Sequence, residues 1–424
     1  MPSPDLAAVI RAALADPQPK RLSDALHRWE EIELSCDDAE GLCTVLAEQT
    51  DIHPLIDLAP GGEYGTRLAD LAILFQQEST DAATRVLRDR GLPELARLFD
   101  AALRTLACPP HPITIIGKIF ALYAYPPGVG RVAKATRQFP EEFLWQMVYG
   151  LYADERHPYG PDLVERLRNP LPPGFAGVVL LDLANTLSRE NRLPTHPFDN
   201  PSGRERLEGF LVESDPRHFS YAHSAAAALP FINGEARNAL AALAMDHPDT
   251  GVQMEAAWAS AHRGGTAGLT FLARMCEDPR HSAAARGYLE ELGKTDRVPA
   301  VAQEPDFQAA AEFCQWLAHP QEFGVPPTEI ALVDTRELDW PPTNDRRQVW
   351  LFRFTFSGLK EDGTDESGIG MVGSVTFSLF GETTPEMSPE DVYGLHCCWE
   401  LEMNRDPRAP EERSAQAGRK LLGI

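Results

Sequence analysis

The sequence predicts a mainly α-helical chain, an α-α superhelix (solenoid) followed by a small antiparallel α+β domain. Three observations lead there. A unit of about thirty residues recurs between residues 202 and 294. Within it, apolar residues recur at helical spacing. Past residue 300 that spacing gives way to a period of two, the mark of strands.

The repeat is visible in three windows: "SGRERLEGFLVESDPRHFSYAHSAAAALPFIN" (202–233), "GEARNALAALAMDHPDTGVQMEAAWASAHRG" (234–264) and "GTAGLTFLARMCEDPRHSAAARGYLEELGK" (265–294). Each opens with an apolar-periodic stretch, breaks at an acid and a proline, and resumes as an alanine-rich stretch. The prolines stand at Pro216, Pro248 and Pro279. Leu207, Phe210 and Leu211 in the first window answer to Leu240, Leu243 and Ala244 in the second, a helical stripe. Proline cannot continue the helical ladder, so Asp-Pro and His-Pro are expected to end the first helix of each pair. The second helix is rich in alanine, which lets neighbouring helices approach closely. A lone pair of this kind cannot bury both faces, so the units must stack.

On these residues the segment resembles HEAT-type repeats, in particular the short kind, near thirty residues, also found in bilin-lyase-like proteins. The resemblance covers 202–294 and rests on the helix, the "DP" or "HP" turn and the alanine-rich helix. It implies a stacked helical fold. Among HEAT-like enzymes, the deoxyhypusine hydroxylase type is similar in architecture but binds iron through repeated His-Glu dipeptides, and this chain has none. HEAT-like DNA glycosylases depend on a basic groove, which the charge disfavours. No local motif supports a bilin-lyase assignment, which stays open.

Upstream the period blurs. "LSDALHRWEEIE", "AEGLCTVLAEQ", "GTRLADLAILFQQE", "DAATRVLRDRGLPELARLFDAALRTL", "FPEEFLWQMVYGLYADE" and "FAGVVLLDLANTLSREN" read as amphipathic helices. Proline-rich breaks separate them: "CPPHP", "YPPGVG", "NPLPPG" and "THPFDNP". Residues 1–200 are therefore expected to be a degenerate array of helical pairs, continued by the clearer repeats at 201–298. Six histidines (His53, His111, His157, His196, His247 and His319) directly precede proline, which places them in turns.

Residues 299–424 change character. "FQAAAEFCQWLAH" (307–319) is one more helix, followed by "TEIALVDTRELDW", "RQVWLFRFTFS" and "GIGMVGSVTFSLFG" as strands. Trp350, Phe352, Phe354 and Phe356 alternate with Leu351, Arg353 and Thr355. "SGLKEDGTDESG" is a hairpin loop, "GLHCCWELEM" is expected as a fourth strand entered after the short helical "SPEDVYG", and the tail "PEERSAQAGRKLLGI" as a terminal helix.

Composition bounds the function. Hydrophobic residues make up 43% and charged residues 24% of the 424, the balance of a folded protein. The net charge of −24 repels polyanions, and basic clusters reach only "RDR" or "RR" in scale, so no nucleic-acid partner is expected. A basic protein partner suits the field better. No apolar run approaches the length that spans a bilayer, and the N-terminus lacks the pattern of a secretory leader, so no membrane association and a cytoplasmic location are expected. Seven scattered cysteines without a CxxC pair read as reduced core thiols.

The motifs with chemical potential are weighed against their packing roles. Gly368, Gly370 and Gly373 in "GIGMVG" match GxGxxG, but a dinucleotide site needs a helix N-terminus after the glycines, and a strand follows here. Glycines at a strand entry or bulge explain them better. "PPGVGRVAKAT" (126–136) lacks the lysine and span of a P-loop and reads as a turn. His396, Cys397 and Cys398 fall short of a metal set, because adjacent strand residues point to opposite faces. Neither a cofactor nor a metal is expected.

The leading expectation is a non-enzymatic protein-protein interaction scaffold, with His218, Asp249, Gln253, Glu255, Trp258 and His262 lining the partner surface beside His247 and His281. Trp258 has an alternative role in packing between units. The competing expectation is an enzyme or small-ligand protein. Its site would lie in the C-terminal domain or the inter-domain cleft and use Asp339, Trp340, Arg353, His396 and Glu400.

Overall fold

The computed structural model describes residues 5–16, 20–29, 32–57, 66–105, 108–213, 219–319, 321–360, 363–381 and 384–424. The chain forms two compact units, Met1–Ala244 and Met245–Ile424. It is mainly helical, with one small antiparallel sheet towards the C-terminus.

The first unit opens with α1 (Leu6–Ala15), α2 (Lys20–Leu26), α3 (Cys36–Glu48), α4 (His53–Ile56) and α5 (Arg67–Ile73). Next, α6 (Asp81–Val86) runs through a π-helical turn into α7 (Leu92–Arg104). Then follow α8 (Pro110–Leu122), α9 (Pro126–Gln138), α10 (Trp145–Ala153), α11 (Gly160–Leu167) and α12 (Gly174–Arg189). The unit closes with α13 (Pro201–Val212), α14 (Phe219–Ala227) and α15 (Glu235–Met245). Alternate helices pack on one another: α5, α8, α10, α12 and α14 form one row, and α7, α9 and α11 a second row against it. Helix α12 lies deep in the first row, with Val178, Val179, Leu180, Leu181, Leu183 and Leu187 all buried.

Three expectations are corrected here. Residues 126–136 are not a turn but most of α9, with Pro126 and Pro127 in its first turn. A proline there loses no helical hydrogen bond and its fixed φ suits the helix. "CPPHP" likewise starts α8, so His111 lies in that helix, as His53 lies in α4. In the repeat windows, proline marks the start of the second helix rather than the end of the first. Asp249 caps α16 (Thr250–His262), and Asp278 caps α18 (Pro279–Glu291) with Pro279 at its first position. Pro216 lies outside the described residues.

Side-chain donors close the open ends of these helices. Arg97 donates to Leu46 O (2.8 Å) and Gln49 O (2.9 Å) at the end of α3, and Gln138 to Leu103 O (3.2 Å) in α7. Arg137 reaches Arg166 O (2.7 Å) in α11, and Arg192 reaches Ala153 O (3.3 Å) in α10. Four of the six His-Pro histidines share one geometry, in which ring Nδ1 accepts the backbone N–H two residues on. The distances are 3.3 Å at His157, 3.4 Å at His196, 3.0 Å at His247 and 3.2 Å at His319. With Nδ1 accepting, Nε2 carries the hydrogen. It donates to Ala121 O in α8 from His157 (3.0 Å) and to Asn185 Oδ1 in α12 from His196 (3.1 Å). Asn185 passes the link on by donating to Ser224 O in α14 (2.9 Å).

The second unit carries α16, α17 (Thr266–Met275), α18 and α19 (Pro305–Leu317), each packed on the next. The sheet follows, in the order β1 (Glu329–Trp340), β2 (Asp345–Phe356), β3 (Glu366–Val372) and β4 (Phe377–Phe380), all antiparallel neighbours. One face of β2 turns Phe352, Phe354 and Phe356 towards α19, where Phe313 stacks on Phe352 at 5.8 Å. The other face turns Val349 and Leu351, with Ile369 and Met371 of β3, towards α20 (Pro389–Met403). The chain ends in α21 (Ala415–Leu422), as expected for the tail. Helices α20 and α21 cross where Gly394 meets Gly418, so closely that a Cβ on Gly418 would overlap Gly394 O.

The fourth strand is not where the sequence placed it. "GIGMVGSVTFSLFG" folds as the β3–β4 hairpin and supplies two strands, while "GLHCCWELEM" is helix α20. Ser388 caps that helix by accepting from Asp391 N (3.3 Å), and Pro389 occupies its first turn. Cys397 and Cys398 are therefore consecutive on a helix and not on opposite faces of a strand.

The first two glycines of "GIGMVG", Gly368 and Gly370, make room for aromatic rings. In the β2–β3 register Phe352 faces Gly370 and Phe354 faces Gly368. A Cβ on Gly370 would come within 2.1 Å of the Phe313 ring, and one on Gly368 within 2.4 Å of Phe354. Gly370→Ala is expected to cost about 1–3 kcal/mol through overpacking, read from urea unfolding. Asn185→Leu, which removes the side-chain partners of Ser224 O and His196 Nε2, is expected to cost about 1–3 kcal/mol in the same assay.

Candidate functional site

Three of the residues expected in a C-terminal site converge. Trp340 at the end of β1 and His396 and Glu400 of α20 meet inside the second unit, where they are 1%, 0% and 3% exposed. In a helix, positions 396 and 400 share one face. The Trp340 indole N–H donates to Glu400 Oε2 (2.8 Å), and the Ser374 hydroxyl donates to Oε1 (2.5 Å). His396 lies among three aromatic rings: Phe377 at 4.9 Å, Trp399 at 5.5 Å and Trp340 at 5.5 Å. Neither ring nitrogen of His396 has a hydrogen-bond partner. Burial pushes its pKa down to about 3, so the imidazole is neutral and its 3.7 Å approach to Glu400 is not an ion pair. With no exposed surface, this His396 cannot meet a substrate. Sequence reasoning missed Ser374, Phe377 and Trp399, which no motif marks.

Arg353 and Asp339 stand apart from that cluster. Arg353 is exposed in β2, opposite Ala331 and Ile369, and lines a shallow cleft with Arg280 and Glu329. Asp339 is exposed in β1, facing Arg346.

The residues expected on the repeat divide between two places. Asp249 accepts from Gly251 N (2.7 Å) and Val252 N (3.1 Å) as the cap of α16, and the Gln253 amide turns back to His247 O (2.8 Å). Further along the same helix Glu255, Trp258 and His262 gather with Tyr288 of α18. The Tyr288 hydroxyl donates to Glu255, while the buried Trp258 ring meets His262 edge-on at 5.3 Å and Tyr288 at 6.3 Å. His281 lies in α18, its pKa lowered by burial, and His218 lies outside the described residues. All seven cysteines are free, and burial raises the pKa of Cys397 to about 12, so it is a thiol at neutral pH. Among the described residues no three His, Cys, Asp or Glu side chains gather to hold a metal ion, and no helix is long and apolar enough to cross a membrane.

The first unit exposes a face that sequence reasoning passed over. Phe143, in the turn that leads into α10, is 68% exposed and Met147 in its first turn 49% exposed, and Gln146 and Gly150 complete the outward strip. Residues 143–153 contain no charge, whereas Glu141 and Glu142 precede them and Asp154 and Glu155 follow. The surplus of apolar residues in "FLWQMVYGLY" was the available signal. Trp145, Val148, Tyr149 and Tyr152 fill the buried side, which leaves Phe143 and Met147 no core to enter.

The buried histidines set an acid limit on stability. His196 has its pKa lowered to about 4 by burial, and His157 shifts the same way. An unfolded imidazole takes its proton near 6.5, so between that value and about 4 the unfolded chain binds more protons. Stability is therefore full above pH 6.5 and lost as the pH falls, with His196 alone removing up to about 3 kcal/mol by pH 4. Urea midpoints taken across this range check the slope. His396→Phe, which keeps an aromatic ring and removes a titrating group, is expected to fold and to flatten it. Comparison of the chain with protein-family models, curated proteins and solved structures found no match, so its own geometry carries the functional reading.

Proposed function

We propose that the chain is a non-enzymatic interaction scaffold built on HEAT-like helical stacking, and that it binds a basic protein partner in a cytoplasmic setting. The observation that carries this reading is the uncharged strip formed by Phe143, in the turn before α10, with Gln146, Met147 and Gly150 of that helix, exposed in a chain of net charge −24. Exposed apolar side chains of this size, bounded by charge, are a usual mark of a docking face. The acids at both ends of the strip favour a partner whose apolar anchor is flanked by lysine or arginine. The competing catalytic reading loses its acid-base pair, because His396 and Glu400 are sealed inside the second unit. Glu255 and His262 on α16 belong to the same proposal as a secondary contact, with the buried Trp258 packing beneath them.

The test compares capture by the full chain with capture by Phe143→Asp/Met147→Glu. A stoichiometric basic protein, held by the parent chain, released by salt and absent from the double variant, is the expected result. Identical capture by both chains overturns the assignment.

A further inference from the structure

An open cleft of about 710 Å³ in the first unit is lined by Arg168, Asn169, Leu171, Ser202, Glu205 and Arg206. Several arginines of this unit are matched: Arg97, Arg137 and Arg192 hold helix-end carbonyls, and Arg131 and Arg204 hold Asp100 and Asp199. Arg206 is not. Its guanidinium is half-buried, burial lowers its pKa, and among the described residues it has neither a hydrogen bond nor an ion pair. The group lies over Gly177 of α12, where a Cβ would stand 3.2 Å from Arg206 Nη1 and 2.6 Å from Pro172 O. The missing side chain at 177 thus makes the seat that the guanidinium occupies.

The surroundings are rich in donors. Arg168 gives one nitrogen to Glu165 (2.9 Å) and keeps the rest of its fork. The Asn169 amide and Ser202 hydroxyl have no partner among the described residues. Arg137, bound to Arg166 O and Pro170 O, adds a third cation behind the wall. Glu205 is the one carboxylate of the lining.

We propose that this cleft binds a small phosphomonoester, with the phosphate held between Arg206 and Arg168. A dianion with three terminal oxygens matches two guanidinium forks and the nearby hydroxyl and amide, whereas a carboxylate offers two oxygens and half the charge. Glu205 at the rim disfavours a ligand that is anionic throughout. It favours a hydroxyl or ammonium group beyond the phosphate, and Leu171 gives the organic part an apolar wall. This site is independent of the α10 strip and of the scaffold reading.

The experiment is calorimetric titration of the full chain with inorganic phosphate, phosphoethanolamine, a phosphoserine peptide and acetate. Phosphate and phosphoethanolamine are expected to saturate, phosphoethanolamine more tightly, and acetate to bind at least about tenfold more weakly. Arg206→Gln should weaken phosphate by about tenfold or more, and Arg206→Lys, which keeps the charge without the fork, by less. Arg206→Gln removes an unmatched half-buried charge, so its urea midpoint should equal or exceed that of the parent and rule out misfolding as the cause. Glu205→Gln should tighten inorganic phosphate. Phosphate that does not saturate, binding that survives Arg206→Gln, or acetate equal to phosphate overturns the proposal. So does a phosphoserine peptide that binds more tightly than phosphoethanolamine, since the group then belongs to a protein.

Discussion

The carbonyl groups at the end of an α-helix have no donor in their own ladder, and the stacking of the first unit depends on how they are met. Arg97, Gln138, Arg137, Arg192 and His157 each reach a terminal or near-terminal carbonyl of a different helix. A bond of this kind does more than satisfy an acceptor. It fixes where along its length one helix rests on another, which apolar packing leaves loosely defined. The His-Pro turns add a second constraint, because each imbeds its imidazole by one nitrogen in its own turn, and in His157 and His196 by the other in a neighbouring helix. Acidic as the chain is overall, its cations and imidazoles are placed where backbone oxygen needs them.

The second unit solves a different problem. A four-stranded sheet buries little on its own, and here both faces are covered, one by α19 and the other by α20. Covering a face that bears Phe352 and Phe354 with the Phe313 ring of α19 requires space, and the β3 glycines provide it. The opposite face takes in polar groups as well. Glu400 is tied to Trp340 and Ser374, and His396 is enclosed by rings that tolerate a neutral imidazole and would oppose nothing but its solvation. The same residues that suggest catalysis on paper are consumed in closing this face.

Much of this was legible in the sequence. Leu207, Phe210 and Leu211, with their counterparts one window later, repeat at a spacing only a helix explains, and the period of two from Val349 to Phe356 admits only a strand. What failed to show was helix α20, because it is buried on so many sides that His396, Cys397, Cys398 and Glu400 offer no contrast between a wet and a dry face. Its start, Ser388 followed by Pro389 and an acid at 391, did read as a short helical segment, and the apparent alternation hid its continuation to Met403. The prolines at 109–112 and 126–127 were misread for a related reason, since proline opens a helix as readily as it breaks one. The convergence of Trp340, His396 and Glu400 was foreseeable as a set of residues, but their seclusion was not, because burial is decided by Phe377 and Trp399, which carry no motif.

The order of contacts along the chain has a consequence for how the molecule is made. In the first unit each helix of the row rests on one already synthesised, α10 on α8 and α12 on α10, so assembly can keep pace with translation. The sheet cannot do the same. Helix α19 precedes it and can cover one face at once, but α20 emerges only after β4. For that interval Val349, Leu351, Ile369 and Met371 face water on a formed hairpin, and the nascent chain is most exposed to aggregation then. Helix α21, crossing α20 at Gly394 and Gly418, ends that vulnerable period last.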